Sequence, residues 1–365
     1  MRFRVQPTAP FAFDLALAYL RTSPSSILEV ISEDTYRRAL RINGQDVLVT
    51  ARAAGTALDV ELAGRSLGPA DQRTTELLVR RLFATDAAVS TLVGDVQADP
   101  VFADLANRCV GLRPILIPDL FETIVWAIIG QQINVTFAAK CKRALVDLVG
   151  ERLRVGDQEY LLFPGPERLA AVNEADLATI QFSRQKSRYV LNLSREISAG
   201  QLDLDELWHL PTDEALPRLE HVLGIGRWTA EYVLLRGLGH PDVIPAGDGG
   251  LRRIIGHAYG LGRSASETEV RQHAERWAGW RGYAAFYWWF ALQQDAMTRG
   301  RLDHQTGYNW SWDLPGGEQD GSADNHSEPG HHRSARERGP AGGIGRSVVR
   351  SSVTRGRRRQ LSTGR

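Results

Sequence analysis

The sequence predicts an α+β protein: an antiparallel sheet first, then an all-helical body, then a tail without a core. Three observations carry this. Between residues 26 and 64 apolar residues alternate with polar ones, the period of half-buried strands. From Thr74, and almost without a break from Pro118 to about Gln294, apolar residues recur at helical spacing. After Trp312 aromatic residues disappear and Gly and Arg take over.

Taken in order, residues 11–20, FAFDLALAYL, read equally well as helix or extended chain. RALRI, DVLVTARA and LDVELAG then place an apolar side chain at every second position, and Asn43-Gly44 and Ala54-Gly55 supply the turns of an antiparallel sheet. ELLVRRLFA and DPVFADLANR switch to the helical period. The expected division is a sheet domain over 1–95, a helical region over 96–312 and a disordered Gly/Arg-rich tail over 313–365. That tail cannot bury enough apolar surface to order itself.

Composition narrows the function. The most apolar run, IVWAIIG at 124–130, is far too short to span a bilayer, and the N-terminus has no signal-peptide pattern. No membrane role is expected, and the expected compartment is the cytoplasm. Two cysteines, Cys109 and Cys141, cannot supply the four thiolates of an iron–sulfur cluster or a four-cysteine zinc site. The whole chain carries +1; residues 316–365 hold ten Arg against five acidic residues, so the first 315 carry −4. Global charge therefore does not argue for nucleic-acid binding by the body, and local features must.

The informative stretch is LGIGRWTAEYVLLRGLGHPDVIPAGDGGLRR, residues 223–253. Residues 211–222 read as a helix, LGIG as a tight turn, and RWTAEYVLLR as a second helix stopped by Gly237. Gly224 and Gly226 permit positive φ and close backbone approach, and the amides at the second helix's start suit one phosphate. By itself a GxG turn is also an ordinary helix connection. Trp228 and Tyr232 lie four apart on one helix face, where core packing is the commoner role and a stacking wall the alternative. Asp248 directly precedes another helix, as an N-cap does; the same carboxylate could stabilise a developing positive charge.

These motifs, with IIGQQINVTFAAK at 128–140 and AERWAGWRGYAAFYWWF at 274–290, resemble the bacterial 3-methyladenine DNA glycosylase II family of the helix–hairpin–helix base-excision superfamily. The resemblance spans residues 1–295 and is strongest over 110–295. It implies that the N-terminal sheet is half of a TATA-binding-protein-like fold, and that the helical region forms two lobes with a cleft between them. It implies Asp248 as the catalytic residue. It makes Leu223, Gly224, Ile225, Gly226 and Arg227 the phosphate-gripping turn, with Leu where relatives often have Pro. It places a monovalent cation on the backbone carbonyls of Glu220, Val222 and Ile225, and requires no other cofactor. Trp228, Tyr232, Trp289 and Tyr19 match positions of a base pocket. Gln132 matches the side chain wedged into the duplex.

The implied partner is double-stranded DNA containing alkylated bases, in the bacterial nucleoid, bound by a monomer. An alkylated purine is already a good leaving group, so the chemistry needs a carboxylate opposite an oxocarbenium ion more than it needs an acid. A strand-nicking relative would carry Lys where this chain has Trp228. The three lysines here, Lys140, Lys142 and Lys186, lie far from the hairpin in sequence. A monofunctional hydrolase is therefore expected. The alternatives are a bifunctional oxidised-purine glycosylase/lyase and a non-catalytic helix–hairpin–helix DNA-binding protein.

Overall fold

The computed structural model describes residues 1–298, with side chains to Asp295. The expected tail lies outside the described residues. Among the described residues seven strands and fourteen α-helices follow in order. They begin with β1 (Arg2–Val5), α1 (Phe13–Thr22), β2 (Val30–Ile31), β3 (Thr35–Ile42), β4 (Gln45–Ala54), β5 (Ala57–Ala63) and α2 (Pro69–Leu82). Next are α3 (Leu92–Asp95), α4 (Pro100–Arg108), α5 (Leu120–Gly130), α6 (Val135–Val149), β6 (Glu151–Val155), β7 (Gln158–Leu162), α7 (Pro166–Ala170), α8 (Glu174–Thr179) and α9 (Arg184–Ser198). The remainder are α10 (Thr212–Glu220), α11 (Arg227–Arg236), α12 (Gly249–Ala258), α13 (Glu267–Ala274) and α14 (Arg281–Thr298).

The first five strands form one antiparallel sheet in the order β1-β5-β4-β3-β2. Its turns fall where expected: Asn43 and Gly44 have φ of 48° and 78°, and Gly55 has φ of 64°. Three strands escape the sequence reading. β1 is only four residues long and adds to β5, with Phe3 opposite Val60. The β6–β7 hairpin interrupts what reads as continuous helix, and its Tyr160 and Leu162 pack on Ala39 and Leu48 of the first sheet. The other sheet face, with Tyr36, Leu40, Val47, Val49 and Val60, joins the main core.

The undecided segment at 11–20 becomes α1. Its buried face includes Leu17 and Tyr19, and it packs on α14. Tyr19 and Phe286 have ring centroids 4.4 Å apart, and the Thr22 hydroxyl donates to Gln293 Oε1 at 2.9 Å.

Local chemistry sets the helix starts near the site. Asp119 caps α5, Asn134 caps α6 and Ser183 caps α9, each side chain accepting from a first-turn amide. Helix α5 is almost wholly buried and apolar apart from Glu122 and Thr123, so it serves as an internal strut rather than a surface helix. Among the described residues no helix is long and apolar enough to cross a membrane.

Candidate active site

Helices α10 and α11 form the expected hairpin, with one change at its entry: α10 ends at Glu220 rather than at residue 222. The turn closes through the Ile225 amide, which donates to the Val222 carbonyl at 3.0 Å. The two glycines do different work. Gly224 sits at φ 91°, and a Cβ there would lie 2.3 Å from the Tyr189 ring of α9. Only Gly fits on both counts. Gly226 is not a positive-φ residue, contrary to expectation: its φ is −94° and it serves as the N-cap of α11. A Cβ there would meet nothing within 4 Å, so neither backbone conformation nor packing demands glycine at this position. Leu223 is half-exposed at the tip, while Ile225 is buried below it. Gly237 ends α11 as its C-cap.

Asp248 is the N-cap of α12, its Oδ1 accepting from the Leu251 amide at 2.8 Å. The same Oδ1 accepts from Trp289 Nε1 on α14 at 3.0 Å. The carboxylate is thus held by two helices, is only half-buried, and opens beside Gly249, where a Cβ would meet nothing within 4 Å. Gly250 has no such room: a Cβ would press on Asp248 Oδ1 at 3.1 Å.

The aromatic residues meet in a row. Trp228 and Tyr232 have ring centroids 5.8 Å apart, and so do Tyr232 and Trp289. The row therefore runs from the hairpin helix to the side chain that holds Asp248. Tyr232 is anchored from behind by Trp126 of α5, whose Nε1 donates to the Tyr232 hydroxyl at 2.8 Å. Burial pushes the Tyr232 phenol up to about 12, so it stays neutral at physiological pH. Tyr19, the fourth expected pocket residue, is buried one helix away; its hydroxyl accepts from Arg236 Nη1 and its ring packs at a tilt of 44° against Phe286.

Arg227 folds back along α11 onto Glu231, Nε to Oε1 at 2.8 Å, and Arg271 of α13 meets the same carboxylate at 3.0 Å. Burial raises the Glu231 carboxyl above its ordinary range, against the two guanidinium groups.

Gln132 is exposed between α5 and α6, with φ at 57°, in the left-handed region. Its neighbour Gln131 was not singled out from the sequence, yet it makes the structural contact. Gln131 Nε2 donates to the Gly224 carbonyl at 2.8 Å and to Thr229 Oγ1 at 3.0 Å. The doubled Gln in IIGQQ was a signal, but not one that says which Gln turns inward.

Two of the three lysines have partners. Lys142 is buried against Glu122 at 2.7 Å. Lys186 donates to the Ile129 carbonyl at 2.6 Å, close to the hairpin in space although distant in sequence. Burial lowers its amine below the ordinary range.

Comparison with known proteins matches this architecture. Residues 125–279 match the family model of the HhH-GPD superfamily of base excision DNA repair proteins, and residues 2–119 match the AlkA N-terminal domain. The chain is 30% identical to the DNA-3-methyladenine glycosylase of Bacillus subtilis, over 78% of this chain and 96% of that one. It is 30% identical to DNA-3-methyladenine glycosylase 2 of Escherichia coli, over 77% and 94%. Among solved structures, a 3-methyladenine DNA glycosylase from Archaeoglobus fulgidus superposes with a TM-score of 0.70 at 26% identity, covering 80% of this chain and 98% of that one. With the sheet, the hairpin and the Asp248 loop all in place, the chain belongs to the HhH-GPD superfamily of base excision DNA repair proteins, as a DNA glycosylase of the AlkA type.

Proposed function

We propose that the chain hydrolyses the N-glycosidic bond of alkylated purines, 3-methyladenine and related bases, turned out of duplex DNA, and that it does so without cutting the strand. The observation that carries this reading is the Trp289–Asp248 bond, which joins an aromatic row to a carboxylate. A cationic flat base is attracted to electron-rich ring faces, and a nearby carboxylate suits the cation formed as that base departs.

Turning the nucleotide out costs about a few kcal/mol, less at a damaged pair. Gln132 fills the gap in the stack, while the Gly224 to Arg227 turn holds a backbone phosphate. The C1′–N bond then breaks with its electron pair leaving on the base. Asp248 faces the resulting oxocarbenium ion. Water adds to C1′ and passes its proton to the Asp248 carboxylate, which returns it to solvent, leaving an abasic sugar. Both hydrogen bonds to Asp248 fall on Oδ1, which leaves Oδ2 for the sugar or the water.

The carbonyls of Glu220, Val222 and Ile225 are neutral oxygen donors along one turn, and the Val222 oxygen keeps a lone pair beyond its bond to Ile225. Such a set fits a monovalent cation, which would stiffen the turn. The protein acts as a monomer on one duplex. Monofunctionality rests on Trp228 at the lyase position and on the engagement of Lys142 and Lys186.

The test is single-turnover release of 3-methyladenine from methylated duplex DNA, by wild type and Asp248→Asn, with borohydride added in parallel. Wild type should release free base and leave an alkali-labile, unbroken strand. Asp248→Asn keeps the helix cap and should lose about 10² to 10³ in rate. Undiminished excision by the Asn variant would remove Asp248 from the chemistry. A trapped protein–DNA adduct would overturn monofunctionality and point to Lys186.

A further inference from the structure

Two loops are expected to act on DNA in different ways: the α5–α6 loop with Gln132 at its tip, and the α10–α11 hairpin. They are separated by about ninety residues of sequence, yet three side chains hold them together. Gln131 Nε2 donates to the Gly224 carbonyl at 2.8 Å and to Thr229 Oγ1 at 3.0 Å. Lys186 Nζ donates at 2.6 Å to the carbonyl of Ile129, in the last turn of α5. Tyr189, one turn further along α9, lays its ring on Gly224 so closely that no Cβ could fit there. Helix α9 thus grips the stem of one loop and the turn of the other, and Gln131 joins the two directly.

The backbone conformation of Gln132 gives this brace a purpose. A non-glycine residue at φ 57° is uncommon and costs free energy, so it persists where its surroundings impose it. Gln131, next in the chain, is held by two hydrogen bonds from a single amide group, so its own position is fixed and Gln132 is presented outward. The bonded partner is the carbonyl of the residue whose glycine character shapes the phosphate turn. Displacing one loop therefore displaces the other.

We propose that Gln131 is a positioning residue that locks the Gln132 tip to the phosphate-gripping hairpin, so that seizing the backbone and filling the vacated stack happen at one fixed separation. This rests on the reading of the protein as a base-flipping glycosylase. Gln131 itself need not touch DNA. Its effect is exerted through Gln132, and it should matter for paired duplex and hardly at all for a base that is already unstacked.

The test compares wild type, Gln131→Leu, Gln132→Ala and the double variant in single-turnover excision of 3-methyladenine, from duplex and from single-stranded oligonucleotides. Gln131→Leu should slow excision from duplex by about ten- to a hundredfold, the range expected when a positioned group shifts by about an ångström. Single-stranded excision should change by less than about threefold. On the Gln132→Ala background, adding Gln131→Leu should cost nothing further, because the residue it positions is gone. Additive losses, or equal losses on both substrates, would overturn the proposal. Should Gln131→Leu fold poorly by thermal melting, Thr229→Val removes one partner of the same amide and must show a smaller loss in the same duplex-selective pattern. A wild-type protein that releases no base from either substrate would sink the glycosylase reading instead, a different outcome from all of these.

Discussion

Asp248 performs two tasks with one oxygen: Oδ1 ends the α12 backbone and accepts the Trp289 indole. Replacing Trp289 by Phe keeps most of the ring in the aromatic row and removes only the N–H. A hydrogen bond to a charged group contributes about 1.5–3 kcal/mol, so single-turnover excision should fall by about 10- to 100-fold. Melting temperature and duplex affinity should be close to wild type. A Phe variant at full rate would show that the indole packs against Asp248 without orienting it. Asp248 was legible in the sequence because an acid among glycines before a helix is a recognisable cap. Trp289 was not distinguishable from Trp288 by pattern. The run AAFYWWFAL is apolar on every side, so its periodicity carries no phase. In the structure Trp288 turns to Phe102 and Trp277 in the core, while Trp289 turns to Tyr232 and Asp248.

At the level of elements, the hairpin offers a paired experiment. Gly224→Ala must accommodate both a left-handed backbone and a Cβ 2.3 Å from the Tyr189 ring. It should lower stability by more than about 1 kcal/mol in denaturant unfolding and weaken duplex binding. Gly226→Ala has an allowed backbone and open space, so it should fold normally and lose affinity only through the methyl that confronts the phosphate. Equal stability losses in the two variants would contradict this account of the turn. The hairpin was readable because helix stops, Gly spacing and a following Trp all fall within a few residues. The β6–β7 pair was not. Each strand has five residues and few apolar positions, and the surface they cover, Ala39 and Leu48, is more than a hundred residues away. A strand whose partner is that remote leaves almost no local mark.

The sheet and the helical body are joined by charge as well as by apolar contact. Arg38 of β3 reaches Glu29 at 2.8 Å and pairs with Glu122 of α5, which also holds Lys142 of α6 at 2.7 Å. Lys142 donates in addition to the Ser25 carbonyl at 2.8 Å. Burial alone would raise the Glu122 carboxyl; the two cations outweigh it and hold it below the ordinary range. A carboxyl depressed in the folded state stabilises the protein above the unfolded value of about 4.3, and that contribution disappears as pH falls through the depressed value. Glu122→Gln should therefore cost about 3–5 kcal/mol at pH 7, because Lys142 loses its only carboxylate among the described residues and Arg38 is left with Glu29 alone. It should also make stability less steeply dependent on pH below about 4. Urea unfolding at pH 7 and in the acid range measures both, and an unchanged acid slope would show that Glu122 is not the group responsible. Nothing in the sequence announced this cluster: Glu122 sits in an otherwise apolar stretch, Arg38 and Lys142 lie among other basic residues that look like solvated charges, and only the tertiary fold brings the three together. The fold class, by contrast, was written in period and composition along the whole chain.

The double use of Asp248 has a genetic consequence. A single transition in either Asp codon yields Asn, which still caps α12 and leaves the hairpin, the aromatic row and the Gln132 tip untouched. Such an allele would encode a full-strength lesion binder that holds its target about a hundred to a thousand times longer before releasing the base. In a cell carrying both copies it would shelter damaged bases from the intact enzyme, and so behave as a dominant poison where a deletion would be recessive.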